Sequence, residues 1–353
     1  IRATGANQNM ARAQGINTNA NVVFGLMLSN GLVALSGANP LEAYGVFAAS
    51  LFGNLNGFCE IFVKATPLIL TGLACAVAFK TGFFNIGAEG QFYIGAVAAA
   101  AVALRATALA PQARMLLAFA AGFLAGGLWA LIAAWMKLRF RISEIIVTIM
   151  LNYIALNFVG VAVRTFLQDP ASGMAQSEKL EAAAALPRLL RGTRLHPGIF
   201  IALALALAVW FILDRTTWGY QMRVVGLNPR AAQCAGISAP LSVTRASILS
   251  GGLAGLAGVI EFLAIQRKLL EGFSGDCGYT GVLIALLAGN RPQLVPVAAI
   301  LFAAAQTGAS SMQRQTGVPA AMVNILIGMV VVAILIRGWL AQRGSAKERV
   351  HRA

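Results

Sequence analysis

Ten apolar runs punctuate the chain, separated by short polar or basic stretches. They are Val22–Ala38, Ala65–Phe79, Gln91–Leu104, Met115–Trp135, Ile145–Val163, Ile199–Leu213, Ala246–Ile265, Gly281–Gly289, Leu294–Ser310 and Ala320–Ile336. A helix needs about 20 residues to cross a hydrocarbon core of roughly 30 Å. Met115–Trp135 and Ala246–Ile265 meet that length easily, whereas Gly281–Gly289 is either half of a broken helix or extended by its flanks. The pattern predicts an all-α fold, a polytopic transmembrane helix bundle of about ten membrane segments that include broken or half helices.

The polar intervals orient the bundle. Lys137, Arg139 and Arg141 separate two good spans, which predicts a cytoplasmic loop. Alternation then places the Asp214–Arg245 loop inside, with Arg215, Arg223, Arg230 and Arg245. The N-terminus and the basic tail also fall inside, whereas Arg164–Pro197, of mixed charge, falls outside.

Composition agrees with lipid as the main solvent. Of 353 residues, 58% are apolar and 11% charged, with mean hydropathy +0.75. Soluble domains carry about 45–50% apolar and about 25% charged residues, so a soluble enzyme is excluded. The net charge of +15 is spread between the spans and forms no footprint for nucleic acid. Cys59, Cys75, Cys234 and Cys277 lie far apart, and with only His196 and His351 beside them no metal or redox site is expected. The 37 glycines include two small-xxx-small faces, Gly122–Gly126 and Gly251–Gly255, which predict close packing between helices of this chain.

One polar break carries the most information. The run ending at Lys80 gives way to Thr81-Gly-Phe-Phe-Asn-Ile-Gly-Ala-Glu-Gly-Gln91 before apolar sequence resumes. Glycines permit a turn, and Asn85 and Glu89 can satisfy the freed backbone groups, with Gln91 close behind. The residues alone allow two readings: a tight interfacial turn with Glu89 at a helix N-terminus, or a broken helix lining a cavity.

This segment resembles the hallmark of ABC importer permeases for branched-chain amino acids, simple sugars and nucleosides, and most of all the nucleoside-type permease subunit. The resemblance extends, in family order, to Glu144–Tyr153, Val225–Ile237, Gly278–Val282 and Met312–Pro319. It implies an ATP-driven importer for nucleosides or a related small polar solute, with a simple sugar as an option. It also implies a separate ABC ATPase subunit, a second permease subunit in a heterodimer, an extracytoplasmic substrate-binding protein, and a multi-pass location in the bacterial cytoplasmic (inner) membrane.

Within Gly226-Leu-Asn-Pro-Arg-Ala-Ala-Gln-Cys-Ala-Gly-Ile237, Asn228 can cap a short helix that Pro229 starts and Gly236 ends. By its residues this is a capped connector or a docking helix. The resemblance implies the latter, a coupling helix seated on the ATPase, with Gly226, Asn228, Arg230, Ala231, Ala232, Gly236 and Ile237 carrying the contact. No lysine follows a glycine, so a phosphate-binding P-loop is missing, and the chain is expected to be neither an enzyme nor a holder of cofactors. ATP and magnesium would belong to the partner ATPase.

A neutral solute with aromatic faces and hydroxyls calls for aromatics and amides along its path. Candidates are Asn85, Glu89, Gln91, Asn152, Asn157, Phe273 and Tyr279, with Glu261 near the outer end. The alternative reading is an ion-coupled secondary transporter, in which Glu89 and Glu261 would hold protons or sodium.

The first segment departs from the family pattern. Ile1–Ala38 aligns without gaps on Met222–Val259, so that Arg2, Gly5, Asn7, Ala11, Gly15 and Ile16 match Arg223, Gly226, Asn228, Ala232, Gly236 and Ile237. A join near Gly37-Ala38-Asn39, natural or hybrid, accounts for this second copy of the coupling pattern better than an internal duplication. Expected divisions are therefore 1–38, a permease domain at 39–337, and a basic cytoplasmic tail at 338–353.

Overall fold

The computed structural model describes residues 39–317, which are helical throughout apart from their connections. The N-terminal copy, the run Ala320–Ile336 and the tail lie outside these residues. Eleven α-helices follow in order: α1 Pro40–Phe52, α2 Leu55–Lys80, α3 Ala88–Arg105, α4 Pro111–Phe140, α5 Glu144–Arg164, α6 Gly198–Arg215, α7 Thr217–Leu227, α8 Pro229–Cys234, α9 Ala239–Ile260, α10 Cys277–Leu287 and α11 Val295–Thr316. A π-helical turn, Glu261–Gln266, prolongs α9.

Six of these are long and apolar enough to cross a membrane: α2, α4, α5, α6, α9 with its π turn, and α11. The expectation of about ten segments is met only that far among the described residues. Gln91–Leu104 lies in α3, whose first turn carries Glu89 and whose last residue is Arg105. Gly281–Gly289 falls on α10, which has 11 residues, or about 16 Å of helix.

Contacts divide the described residues into two compact units, 39–58 with 304–317, and 59–303. In the first, the Asn39 side chain accepts the Leu41 N–H at 3.0 Å, and Pro40 opens α1. A Cβ on Gly308 would lie 2.2 Å from the Phe47 ring, so the end of α11 and α1 are in close apposition.

In the larger unit, α2 is the buried centre, and α3, α4 and α9 interlock through glycine. A Cβ on Gly126 would meet the Gly251 carbonyl oxygen at 2.3 Å, and one on Gly255 would meet that of Gly122 at 2.3 Å. The two small-residue faces read from the sequence thus pack on one another within the chain, where backbones in contact gain dispersion energy that lipid cannot supply. A Cβ on Gly258 would similarly strike the Phe92 carbonyl at 2.1 Å, which seats α9 against α3.

The two ends differ in chemistry. At one, Lys137 Nζ donates to the Gly82 carbonyl at 3.0 Å and to Glu144 Oε1 at 2.6 Å, tying the α4–α5 connection to the α2–α3 connection. Helices α7 and α8 pack at this same end through a cluster that includes Ala78, Phe83, Ala133, Val225 and Ala232. The other end is closed by residues 165–197, laid along the chain after α9. Ser177 N donates to Leu269 O at 3.0 Å, Leu180 N to Arg267 O at 2.7 Å, and Leu186 N to Leu263 O at 3.1 Å. Arg114 and Glu181 form an ion pair there at 2.5 Å, and Arg194 pairs with Glu60.

Candidate functional site

Between α2 and α3 the chain folds back on itself. Thr81 Oγ1 donates to the Ala78 carbonyl at 2.7 Å, Phe83 N donates to the same oxygen at 3.2 Å, and Gly82 takes a left-handed φ of 69°. The Asn85 carbonyl reaches Cys75 Sγ at 3.8 Å, five residues up α2 from Lys80. The break has therefore returned about 8 Å along α2 before α3 starts.

The polar side chains of the break serve two different ends. Asn85 and Gln91 are buried and bonded to each other, and Asn85 also donates to Ser250 Oγ at 2.9 Å and accepts Gly87 N at 2.8 Å. Asn152, from α5, accepts Gly90 N at 2.8 Å and donates to the Ile86 carbonyl at 3.0 Å and to Tyr279 Oη at 3.2 Å. These amides replace the helical bonds that the break forfeits.

Glu89 is placed differently. It stands in the first turn of α3 and is 4% exposed, with Oε2 accepting the Gly278 N–H at 2.6 Å from the first turn of α10. Ser274 Oγ donates to Oε1, and Tyr93 Oη lies 2.8 Å from that same hydroxyl. One carboxylate thus sits at the positive ends of two helices. The approach requires glycine: a Cβ on Gly278 would lie 2.2 Å from the Glu89 nitrogen. Thr71 Oγ1, in mid-helix on α2, bonds the Cys277 carbonyl at 3.0 Å, so α10 begins about 13 Å from the level of Lys80. Helix α10 is a half-helix that starts at mid-depth.

A cavity of about 350 Å³ opens beside this carboxylate, lined by Glu89, Tyr93, Asn152, Tyr153, Leu156, Gly272, Ser274, Gly275, Asp276 and Tyr279. Phe273 backs it, its ring centroid 5.4 Å from Phe92 and 5.3 Å from Tyr93. The structure brings Glu89, Asn152 and Tyr279 to this cavity and leaves Asn85 and Gln91 behind it in the packing. Asn157 lies apart, donating to the Tyr153 carbonyl at 2.8 Å, and Glu261 accepts from Gln266 at 3.1 Å beyond α9. Sequence reasoning missed Tyr93, Ser274 and Asp276. Tyr93 is one helical turn after Glu89 on the same face, and Ser274 and Asp276 lie in the glycine-rich stretch before Gly278.

At the basic end, Asn228 Oδ1 accepts the N–H groups of Arg230 at 3.0 Å and Ala231 at 3.2 Å, so α8 is capped as its sequence predicts. Gly236, with φ of 75°, ends it. Ala232 is buried and Ile237 half-buried against the cluster below, while Arg230, Ala231 and Gly236 are exposed. Gly226 abuts the break: a Cβ there would fall 2.1 Å from the Lys80 carbonyl oxygen.

Residues 57–335 match the family model described as the branched-chain amino acid transport system permease component. The chain belongs to this permease family. The permease is 36% identical to a guanosine ABC transporter permease protein of Bacillus subtilis, over 92% of this chain and 96% of that one. It is 35% identical to a glucose ABC transporter permease protein of Haloferax volcanii, over 86% of this chain and 82% of that one. A nucleoside ABC transporter permease protein of Lactococcus lactis is 32% identical over 90% of this chain and 89% of its own length. The permease is thus a membrane-embedded, multi-pass and non-catalytic subunit of an ABC importer.

Proposed function

We propose that this permease moves a nucleoside, or a related small polar solute such as a simple sugar, inward across the bacterial cytoplasmic membrane. The Glu89 carboxylate, held at the N-termini of α3 and α10 at mid-depth beside a cavity bearing Tyr93, Tyr153 and Tyr279, is the observation that carries this reading. Half-helix ends facing a cavity are a recurrent way to bind solute or ion within a membrane. The rings offer stacking to a base or sugar face, and Glu89 and Asp276 offer acceptors to hydroxyl or amine hydrogens.

The α7–α8 segment supports docking on a separate ATPase. Its exposed face over 226–237 is rigidly capped, its buried Ala232 shares a cluster with Phe83 of the break, and Gly226 abuts the Lys80 carbonyl. An exposed helix of this kind converts closure of a partner into rigid-body movement of α2 and α3. That partner would hold ATP and magnesium, this chain holding no cofactor. A second, different permease would complete the path, and a binding protein would deliver solute from outside. The permease domain would span 39–337 in about ten membrane segments, with 338–353 as a cytoplasmic tail.

The test is reconstitution with the ATPase and partner permease in vesicles, following labelled guanosine and labelled glucose. Uptake should require ATP and the ATPase, and should continue when proton and sodium gradients are collapsed. Uptake driven by either gradient without the ATPase would overturn the proposal in favour of an ion-coupled transporter.

A further inference from the structure

A second cavity, of about 390 Å³, lies at the basic end of the molecule, lined by Lys80, Asp214, Arg291, Pro292, Gln293 and Leu294. It gathers the last residue of α2, the penultimate residue of α6 and the residues that lead into α11. Its one carboxylate is already committed. Asp214 Oδ2 accepts from Gln293 Nε2 at 2.8 Å, and Oδ1 accepts from Arg223 at 3.3 Å. Among the described residues, neither Lys80 nor Arg291 has an ion pair or a side-chain hydrogen bond. Helix α11 opens at Val295, so its positive end adjoins the same space.

The apolar surroundings continue from this cavity. Leu294, Val297 and Leu301 are exposed and spaced to share one face of α11, and Leu207 and Phe211 are exposed on α6 above Asp214. Two cations without partners among the described residues, at the foot of exposed apolar stripes, match the layout of a phospholipid, phosphate below and acyl chains alongside.

We propose that Lys80 and Arg291 hold the phosphate of an anionic phospholipid at the cytoplasmic boundary of the membrane. Gln293 and Pro292 close one side of the headgroup, and Leu294, Val297 and Leu301 receive an acyl chain. The site borders Lys80, where α2 ends and the break begins, so occupancy also steadies that junction. The inference needs only that the chain crosses a membrane. It is independent of which solute is carried and of the ATPase.

Native mass spectrometry of the purified intact chain with phosphatidylglycerol or phosphatidylcholine reads the proposal directly. The wild type should retain one phosphatidylglycerol in preference, by about twenty-five-fold if each cation contributes a factor of about five. The double variant Lys80→Gln with Arg291→Gln should lose that preference, and Lys80→Arg should keep it. Arg245→Gln, which removes a cation stacked on Trp218 at the same end, should leave the preference unchanged. Melting in each lipid checks that the variants are folded. Equal phosphatidylglycerol retention by a folded double variant overturns the site. Equal loss with Arg245→Gln would mean general surface attraction, and protection by inorganic phosphate as strong as that by lipid would mean a free-anion site; either overturns the lipid assignment.

Discussion

Asn85 and Gln91 close a ring of two hydrogen bonds in the core, Asn85 Nδ2 to Gln91 Oε1 at 2.9 Å and Gln91 Nε2 to Asn85 Oδ1 at 3.0 Å. With Ser250 Oγ and Gly87 N also bonded, the Asn85 carboxamide has both hydrogens and both lone pairs in use. It has no capacity left for a solute. Asn85→Leu and Gln91→Leu should each destabilise the chain by about 1–2 kcal/mol, the range for a buried polar group losing its partner. The two losses should couple in a double-mutant cycle of unfolding. Solute preference of the folded fraction should be unchanged. An altered preference with normal stability would place Asn85 on the path after all.

Glu89 should behave in the opposite way. Glu89→Gln keeps an oxygen for Gly278 N or Ser274 Oγ but removes the charge at the ends of α3 and α10, so folding should survive and uptake should fall by about tenfold or more. Glu89→Ala leaves the Gly278 amide and the Ser274 hydroxyl without this partner, and should add a loss of stability of about 1–3 kcal/mol. Uptake rates per folded molecule, set beside melting temperatures, separate the two effects. Normal transport by Glu89→Gln would show the break to be scaffold alone.

Gly226 tests the link between the α7–α8 segment and the break. In Gly226→Ala the new methyl meets the Lys80 carbonyl oxygen, which is backbone and cannot swing aside, so α7 must shift. Gly192→Ala, in the loop between α5 and α6, makes a matched control, since it carries the strain of φ 83° with nothing within 4 Å of the added carbon. In the reconstituted complex, Gly226→Ala should lower solute moved per ATP hydrolysed by severalfold, whereas Gly192→Ala should reduce stability by about 1–2 kcal/mol and leave that ratio intact. Equal ratios in the two variants would break the link.

Legibility followed the physics of each signal. Long uniform runs such as Met115–Trp135 fell within helices because lipid demands them. The glycine faces on α4 and α9 were readable because only small residues allow such packing. Helix α1 was missed because its 13 residues are too few for a crossing and include Glu42, and the first turns of α2 because a hydropathy count stops at Glu60 and Lys64. Glu60 in fact reaches across to Arg194, a pairing 134 residues away in sequence that periodicity cannot register. Helix α7 was missed because it is polar on one side, burying Met222 and Val225 on the other. Around the cavity, the polar break pointed to Glu89, and the choice of amides suited to a polar solute pointed to Asn152. The separation of Asn85 and Gln91 from the cavity needed tertiary partners, Ser250 above all.

His196 gives the chain a pH dependence of its own, outside the spans. Its ring is buried, Nδ1 accepts the Gly198 N–H at 3.1 Å, and Nε2 has no partner. A second proton would have to enter at Nδ1 and break that bond inside an apolar wall, so burial pushes the imidazole down from 6.5 to about 4. Between those values the unfolded chain binds a proton that the native chain refuses. Stability from this group is therefore complete above pH 6.5, declines as pH falls, and levels off below pH 4, a total of roughly 3 kcal/mol. Unfolding temperatures of the intact chain in nanodiscs from pH 7.5 to 3.5 should show this decline on top of any carboxylate effects. His196→Phe, similar in shape and without a titrating nitrogen, should remove it. If the wild type and His196→Phe lose stability in parallel across that window, the folded imidazole takes its second proton as readily as the unfolded one and Nδ1 is not held by the Gly198 N–H.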